Sequence, residues 1–207
     1  MLIVTILVSS VGCSAQSETP QILAGKRLFG EEAFTITYRT TVPSLGAGAV
    51  TMTEHVRNWG YQSVKLYPGE RALKTLAENG RFYRFDPETG QAYWQEDTPT
   101  QNLMSLIDQE ADRDFGYRRS RFMFGGQPTG EAAVFAGHTC SFYQAQTSSP
   151  MLTVRVCMTS WGAALYVETQ GEVESTQVAT EVRIGDRGPD DVFAFDRESA
   201  LPASALQ

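Results

Sequence analysis

From Phe34 onward the apolar positions of this chain recur at every second residue. Phe34, Ile36 and Tyr38 alternate with Thr35, Thr37 and Arg39, and Val50, Met52 and Val56 alternate with Thr51, Thr53 and Arg57. Successive side chains of a strand point to opposite faces, so this alternation predicts strands with one face in a core. Val64 and Leu66 continue it up to Pro68-Gly69. Leu73–Ala77 and Arg81–Phe85 are further strands around Asn79-Gly80, a dipeptide that favours a type I′ hairpin turn. A turn at Asp86–Gly90 precedes another strand at Ala92–Gln95. Strands resume at Val134 and at 140–145, 152–158, 164–168, 173–184 and 192–195.

One segment departs from the period of two. Leu103, Met104, Leu106, Ile107 and Ala111 stand near helical spacing behind a Thr or Asn cap, which predicts a helix over 100–111. Ile22–Phe29 reads as a second, short helix weakened by Gly25 and Gly30. Meandering antiparallel strands around one inserted helix predict an α+β domain, mostly antiparallel β. Its sheet is strongly curved, a half-barrel with the helix over its concave face.

The first thirteen residues change the picture. Met1–Cys13 carries no charge and is apolar throughout, but it is far short of the ~20 residues that span a bilayer. It has the make-up of the apolar core of an export signal. Val11, Gly12 and Cys13 resemble the lipobox at which bacteria cleave and acylate lipoproteins, with Ser10 where that pattern favours Leu. No Lys or Arg precedes the apolar run, so the natural start is expected a few codons upstream. The expected organisation is an export signal at 1–12, a Cys13-anchored tether and short N-terminal segment at 13–33, a half-barrel domain at 34–199, and a C-terminal tail at 200–207. An N-terminal strand or buried helix is the alternative reading of this run.

Lipid on Cys13 leaves Cys140 and Cys157 as a pair, and an exported protein can keep a disulfide. Centring the hairpin turn between Ser148 and Ser149 puts the two directly opposite each other, within bridging distance. Two buried free thiols are the alternative.

The net charge of −7 lies wholly in the mature part. A pI near 4.9 argues against nucleic acid or an anionic membrane surface as partner. Candidate chemistry is sparse. His55 and His138 stand on separate strands without metal-ligand spacing, and no nucleophile elbow, phosphate loop or Cys-x-x-Cys motif occurs. No catalytic residue, metal or cofactor is expected. Two clusters remain. Residues 112–124 mix Arg113, Arg118, Arg119 and Arg121 with aromatic and Met side chains, a stretch that could bind a phosphate head group or rim a lipid cavity; an exposed strand or loop after the helix is the alternative. The aromatic set around Trp94 and Trp161 belongs to the core or lines a cleft.

Gly137-His-Thr-Cys140-Ser-Phe-Tyr, the strand Val156–Gly162 and the closing stretches Val178–Ile184 and Asp190–Phe195 resemble the periplasmic half-barrel lipoproteins of the LolA and LolB superfamily. Tyr83–Gly90 fits one of that family's hairpins. The likeness covers about residues 34–196. It implies a concave cavity for acyl chains or another hydrophobic ligand, and it brings no catalytic residues. The function expected is that of a non-enzymatic, lipid-anchored envelope protein facing the periplasm, binding a hydrophobic ligand or a lipidated client. Leu103, Leu106, Ile107, Arg118, Arg121, Trp94 and Trp161 are the candidate ligand-binding residues. The alternative is an adaptor or structural lipoprotein with a filled core and a protein partner.

Overall fold

The structure, a computed structural model, describes residues 27–41, 48–67, 73–78, 80–86, 88–148, 151–171 and 174–206. The export signal, Cys13 and the tether up to residue 26 lie outside these residues. So does most of the helix expected at Ile22–Phe29; residues 28–32 are a run of bends instead.

Strands β1 (Phe34–Thr41), β2 (Val50–Arg57), β3 (Gln62–Tyr67), β4 (Leu73–Glu78), β5 (Arg81–Phe85) and β6 (Ala92–Glu96) form one antiparallel meander. Strands β7 (Gln127–Phe135), β8 (His138–Ser148), β9 (Met151–Met158), β10 (Ala164–Gln170) and β11 (Ser175–Ile184) form a second. Pairing of β1 with β11 joins them, and a short β12 (Leu201–Pro202) adds to β6 in parallel. The result is a twelve-stranded sheet in the order β12-β6-β5-β4-β3-β2-β1-β11-β10-β9-β8-β7. It does not close, and β12 and β7 are its two edges. Register shifts at Thr37/Tyr38 and Ala164/Tyr166 bend it near its middle.

The chain must travel from β6, beside one edge, to β7 at the other, so that connection crosses a face of the sheet. It does so as two helices, α1 (Thr98–Leu106) and α2 (Phe115–Phe124). Asp97, ahead of the expected Thr or Asn, caps α1 by accepting from Thr100 N at 3.2 Å. Asp114 caps α2, accepting from Tyr117 N at 2.7 Å, and Gly125 ends it at φ 67°. The expected curved α+β half-barrel is therefore present, with two helices over its inner face where the sequence indicated one. The arginine-rich stretch, expected as strand or loop, is α2.

Residues paired across a ladder share a face. Phe34 with Val56 and Tyr38 with Met52 form the inner face, and Leu103 and Ile107 of the α1 region pack into the same core cluster, both almost wholly buried. Each such side chain contributes about 1.5–3 kcal/mol of burial, which holds the crossing segment down. The outer face has its own cluster of Val64, Leu76, Tyr83, Phe85 and Ala92, covered by Phe193 with Val192 and Phe195. Val192–Phe195 is thus no strand. It is a turn segment, with Phe193 N donating to Asp190 O, laid across the sheet. Its apolar residues cover a face already built, where a ladder position would need a free edge.

Cys140 and Cys157 form a disulfide with Cα atoms 5.4 Å apart. The register differs from the one expected by two residues: the ladder runs to Ser148↔Met151 and sets Phe142 opposite Cys157. A shift of two keeps every side chain on its face, so the bridge forms along the diagonal.

Candidate functional site

The inner face of β2–β5 and the two helices do not meet everywhere. Between them lies a cavity of about 310 Å³, at the lower end of the range for ligand pockets. Alternation on the strands decides its floor. Ser63 pairs with Ala77, Ala77 with Phe82, and Lys65 with both Glu54 and Thr75, so all six face inward. The first turn of α1 brings Pro99 and Thr100, α2 brings Arg119 and Met123, and the N-terminal bends bring Leu28 and Phe29. Those bends are pinned: Leu28 N and Phe29 N donate to Trp59 O at 3.0 and 3.2 Å, and Trp59 N donates to Glu32 O at 2.9 Å.

The lining is amphipathic. Leu28, Phe29, Ala77, Phe82, Pro99 and Met123 supply apolar surface, and a charged group lies among them. Glu54 accepts from Tyr38 Oη at 3.3 Å and pairs with Lys65 Nζ at 3.8 Å. Tyr38 Oη also approaches Ala164 O at 2.9 Å. Burial and the Glu54 carboxylate beside it push the Tyr38 phenol well above its ordinary range. Glu54 likewise raises Lys65.

Arg119 is the other cation of the cavity. Its guanidinium lies 3.8 Å from the ring centroid of Phe29, and its Nε is buried without a hydrogen-bond acceptor. Burial lowers its pKa to about 10, against the pull of Glu54, Tyr38 and Asp97. Gly162 permits this placement. It sits at φ +100°, and a Cβ there would come within 2.7 Å of Arg119 Cδ.

None of the seven residues expected to bind ligand lines this cavity. Leu103 and Ile107 are core, and Leu106 is half-buried at the end of α1. Arg118 turns under α1 and donates to Ile107 O at 2.8 Å, while Arg121 pairs with Glu110 at 2.9 Å on the surface. Trp161 packs edge-on against Phe34, with ring centroids 4.9 Å apart. Trp94 lies under Arg81 and lines a separate hollow of about 120 Å³ beside β12. Of the residues that line the cavity, the strand positions were legible only as alternation, Thr100 as a helix cap, and Arg119 and Met123 as members of the arginine-rich cluster. Among the described residues, no group of His, Cys, Asp and Glu side chains is placed to hold a metal ion. His55 Nδ1 is instead 2.8 Å from Thr35 Oγ1.

Known proteins share the fold at low sequence identity. An uncharacterized conserved protein from Thermus thermophilus superposes with a TM-score of 0.53 at 4% identity, over 83% of this chain and 91% of that one. A structure of PNGF-II superposes at 0.50 and 14% identity over 84% of this chain, which spans only 31% of its length. A LolA superfamily protein from Nitrosomonas europaea aligns with 83% of this chain and 93% of its own at 13% identity, with a TM-score of 0.39. The last overlay decides nothing alone; the half-barrel rests on the sheet order, its open edges and its helical cover. No family model matches the sequence, and no curated protein matches it.

Proposed function

We propose that this protein is a non-catalytic binding protein of the bacterial envelope, holding an amphipathic ligand with an acyl chain or similar apolar part between its sheet and its helices. The cavity of about 310 Å³ carries this reading: its walls give an apolar chain a place out of water and give a polar end a charged partner. The Cys140–Cys157 bridge supports an oxidising compartment, and the sequence of residues 1–13 supports export with acylation at Cys13. The adaptor reading has less support: among the described residues, the large exposed apolar side chains Val50, Phe124, Val134, Ile184 and Leu201 stand on separate elements.

Native mass spectrometry of the full chain purified from membranes is the test. A retained small molecule that leaves on mild activation is expected. A bare polypeptide that also fails to take up added acyl compounds would overturn the proposal.

A further inference from the structure

The charges around the cavity are not equally occupied. Glu78 touches the cavity, but its carboxylate accepts from Arg197 Nε at 2.6 Å, Arg197 Nη2 at 2.9 Å and Gln62 Nε2 at 2.5 Å. Asp97 is spent on the cap of α1, and Glu54 on Tyr38 and Lys65. Every acid that lines the cavity therefore has a partner. Arg119 Nε has none. Arg118 Nε shares that condition, but Arg118 already donates through Nη1 to Ile107 O and does not line this cavity.

A buried donor left without an acceptor is destabilising, and Arg119 Nε, shut off from solvent, marks how far this cation has been taken out of water. Arg119 fronts the hollow with the rest of its side chain. A guanidinium presents planar N–H groups that match two oxygens of one carboxylate or phosphate. The stack on Phe29 fixes the plane of those groups, and Gly162 leaves room for the Arg119 stem. Around it, Leu28, Phe29, Phe82 and Met123 offer apolar surface for a chain attached to the anion.

Resting on the binding reading above, we infer that Arg119 anchors the anionic head of the ligand, so the cavity takes acidic amphiphiles, carboxylates or phosphate esters, in preference to neutral ones. At ~30 Å³ per water-sized unit the cavity accommodates about ten non-hydrogen atoms, which points to a medium-length chain.

The experiment is a calorimetric titration of the full chain at neutral pH with hexanoate, hexyl phosphate, hexanol and inorganic phosphate. Hexanoate and hexyl phosphate should bind about tenfold tighter than hexanol or more, and inorganic phosphate should displace neither. Arg119→Gln should bring all three amphiphiles to the affinity of hexanol. Hexanol binding as tightly as hexanoate to the wild type would overturn the anion anchor and leave the binding reading standing, and it needs no variant. Tight binding of inorganic phosphate with no binding of hexanoate would overturn the amphiphile and show a free-anion site. Failure of all four to bind would overturn both the anchor and the reading beneath it.

Discussion

Arg118 Nη1 donates to the carbonyl oxygen of Ile107 at 2.8 Å, joining the middle of α2 to the residue that ends α1. Both partners are buried, and the Arg118 guanidinium lies 4.3 Å from the centroid of the Phe115 ring. The bond satisfies a carbonyl that α1 leaves open at its C-terminus and fixes the angle between the helices that roof the cavity.

Removing this bond strands Ile107 O in the core. Arg118→Met should therefore lower stability by about 2 kcal/mol, the scale of a hydrogen bond to a charged group. Arg121→Ala removes an ion pair with Glu110 in which both side chains are partly exposed, and should change stability by less than about 1 kcal/mol. Urea denaturation of both variants measures the contrast. Equal midpoints would contradict the role given to Arg118.

The disulfide should survive isolation of the protein and show as one linked peptide in a non-reducing map. Replacing both Cys140 and Cys157 with Ser should cost roughly 3 kcal/mol, the loop-closure value for a bridge across 17 residues. Unchanged stability of the double variant would mean the ladder alone holds the hairpin.

His55 gives the fold a sensitivity to acid. The loop carrying Gly188 lies against its ring, Thr35 Oγ1 is 2.8 Å from Nδ1, and Arg57 ties the same loop through Arg187 O and Pro189 O. Burial, the largest influence, lowers its pKa below the ordinary 6.5, with Asp186 opposing. The unfolded chain thus takes up the proton first as the pH falls. The stability His55 contributes is fully present above about pH 6.5 and is lost as the pH falls through the lower, folded value. His55→Gln should flatten this part of the acid limb in urea midpoints measured from pH 7.5 to 4.5. An unaltered slope in the variant would assign the acid limb to other groups.

On the proposed reading, in which lipid on Cys13 is the anchor, Cys13→Ser should shift the protein from the membrane to the soluble fraction. The variant staying with the membrane would remove the anchor from the account.

The strands were legible because alternation is written residue by residue. Asn79-Gly80 placed its hairpin correctly, with Glu78 paired to Arg81. Helix α2 was not legible by period, since Gly116, Arg118 and Ser120 face inward while Phe124 is exposed. Its caps, Asp114 and Gly125, were the readable signal. The hairpin register was misplaced by two residues, a slip that preserves the face pattern and so cannot be caught by it. The walls of this cavity went unread for a related reason. An apolar stripe such as Leu103 and Ile107 marks what a core consumes, whereas a cavity is found where packing stops, which depends on how two helices cross a sheet.

Ligand uptake by a cavity-filling variant tests the central claim most directly. Ala77 stands on the floor between Ser63 and Phe82, and Ala77→Trp would place an indole in the hollow. Leu106→Trp adds the same ring at the end of α1, away from it. Calorimetric titration with hexanoate should show saturable binding in the wild type and in Leu106→Trp. Ala77→Trp, folded by circular dichroism, should lose it by tenfold or more. Saturable binding that persists in Ala77→Trp, or none in the wild type, would contradict the account.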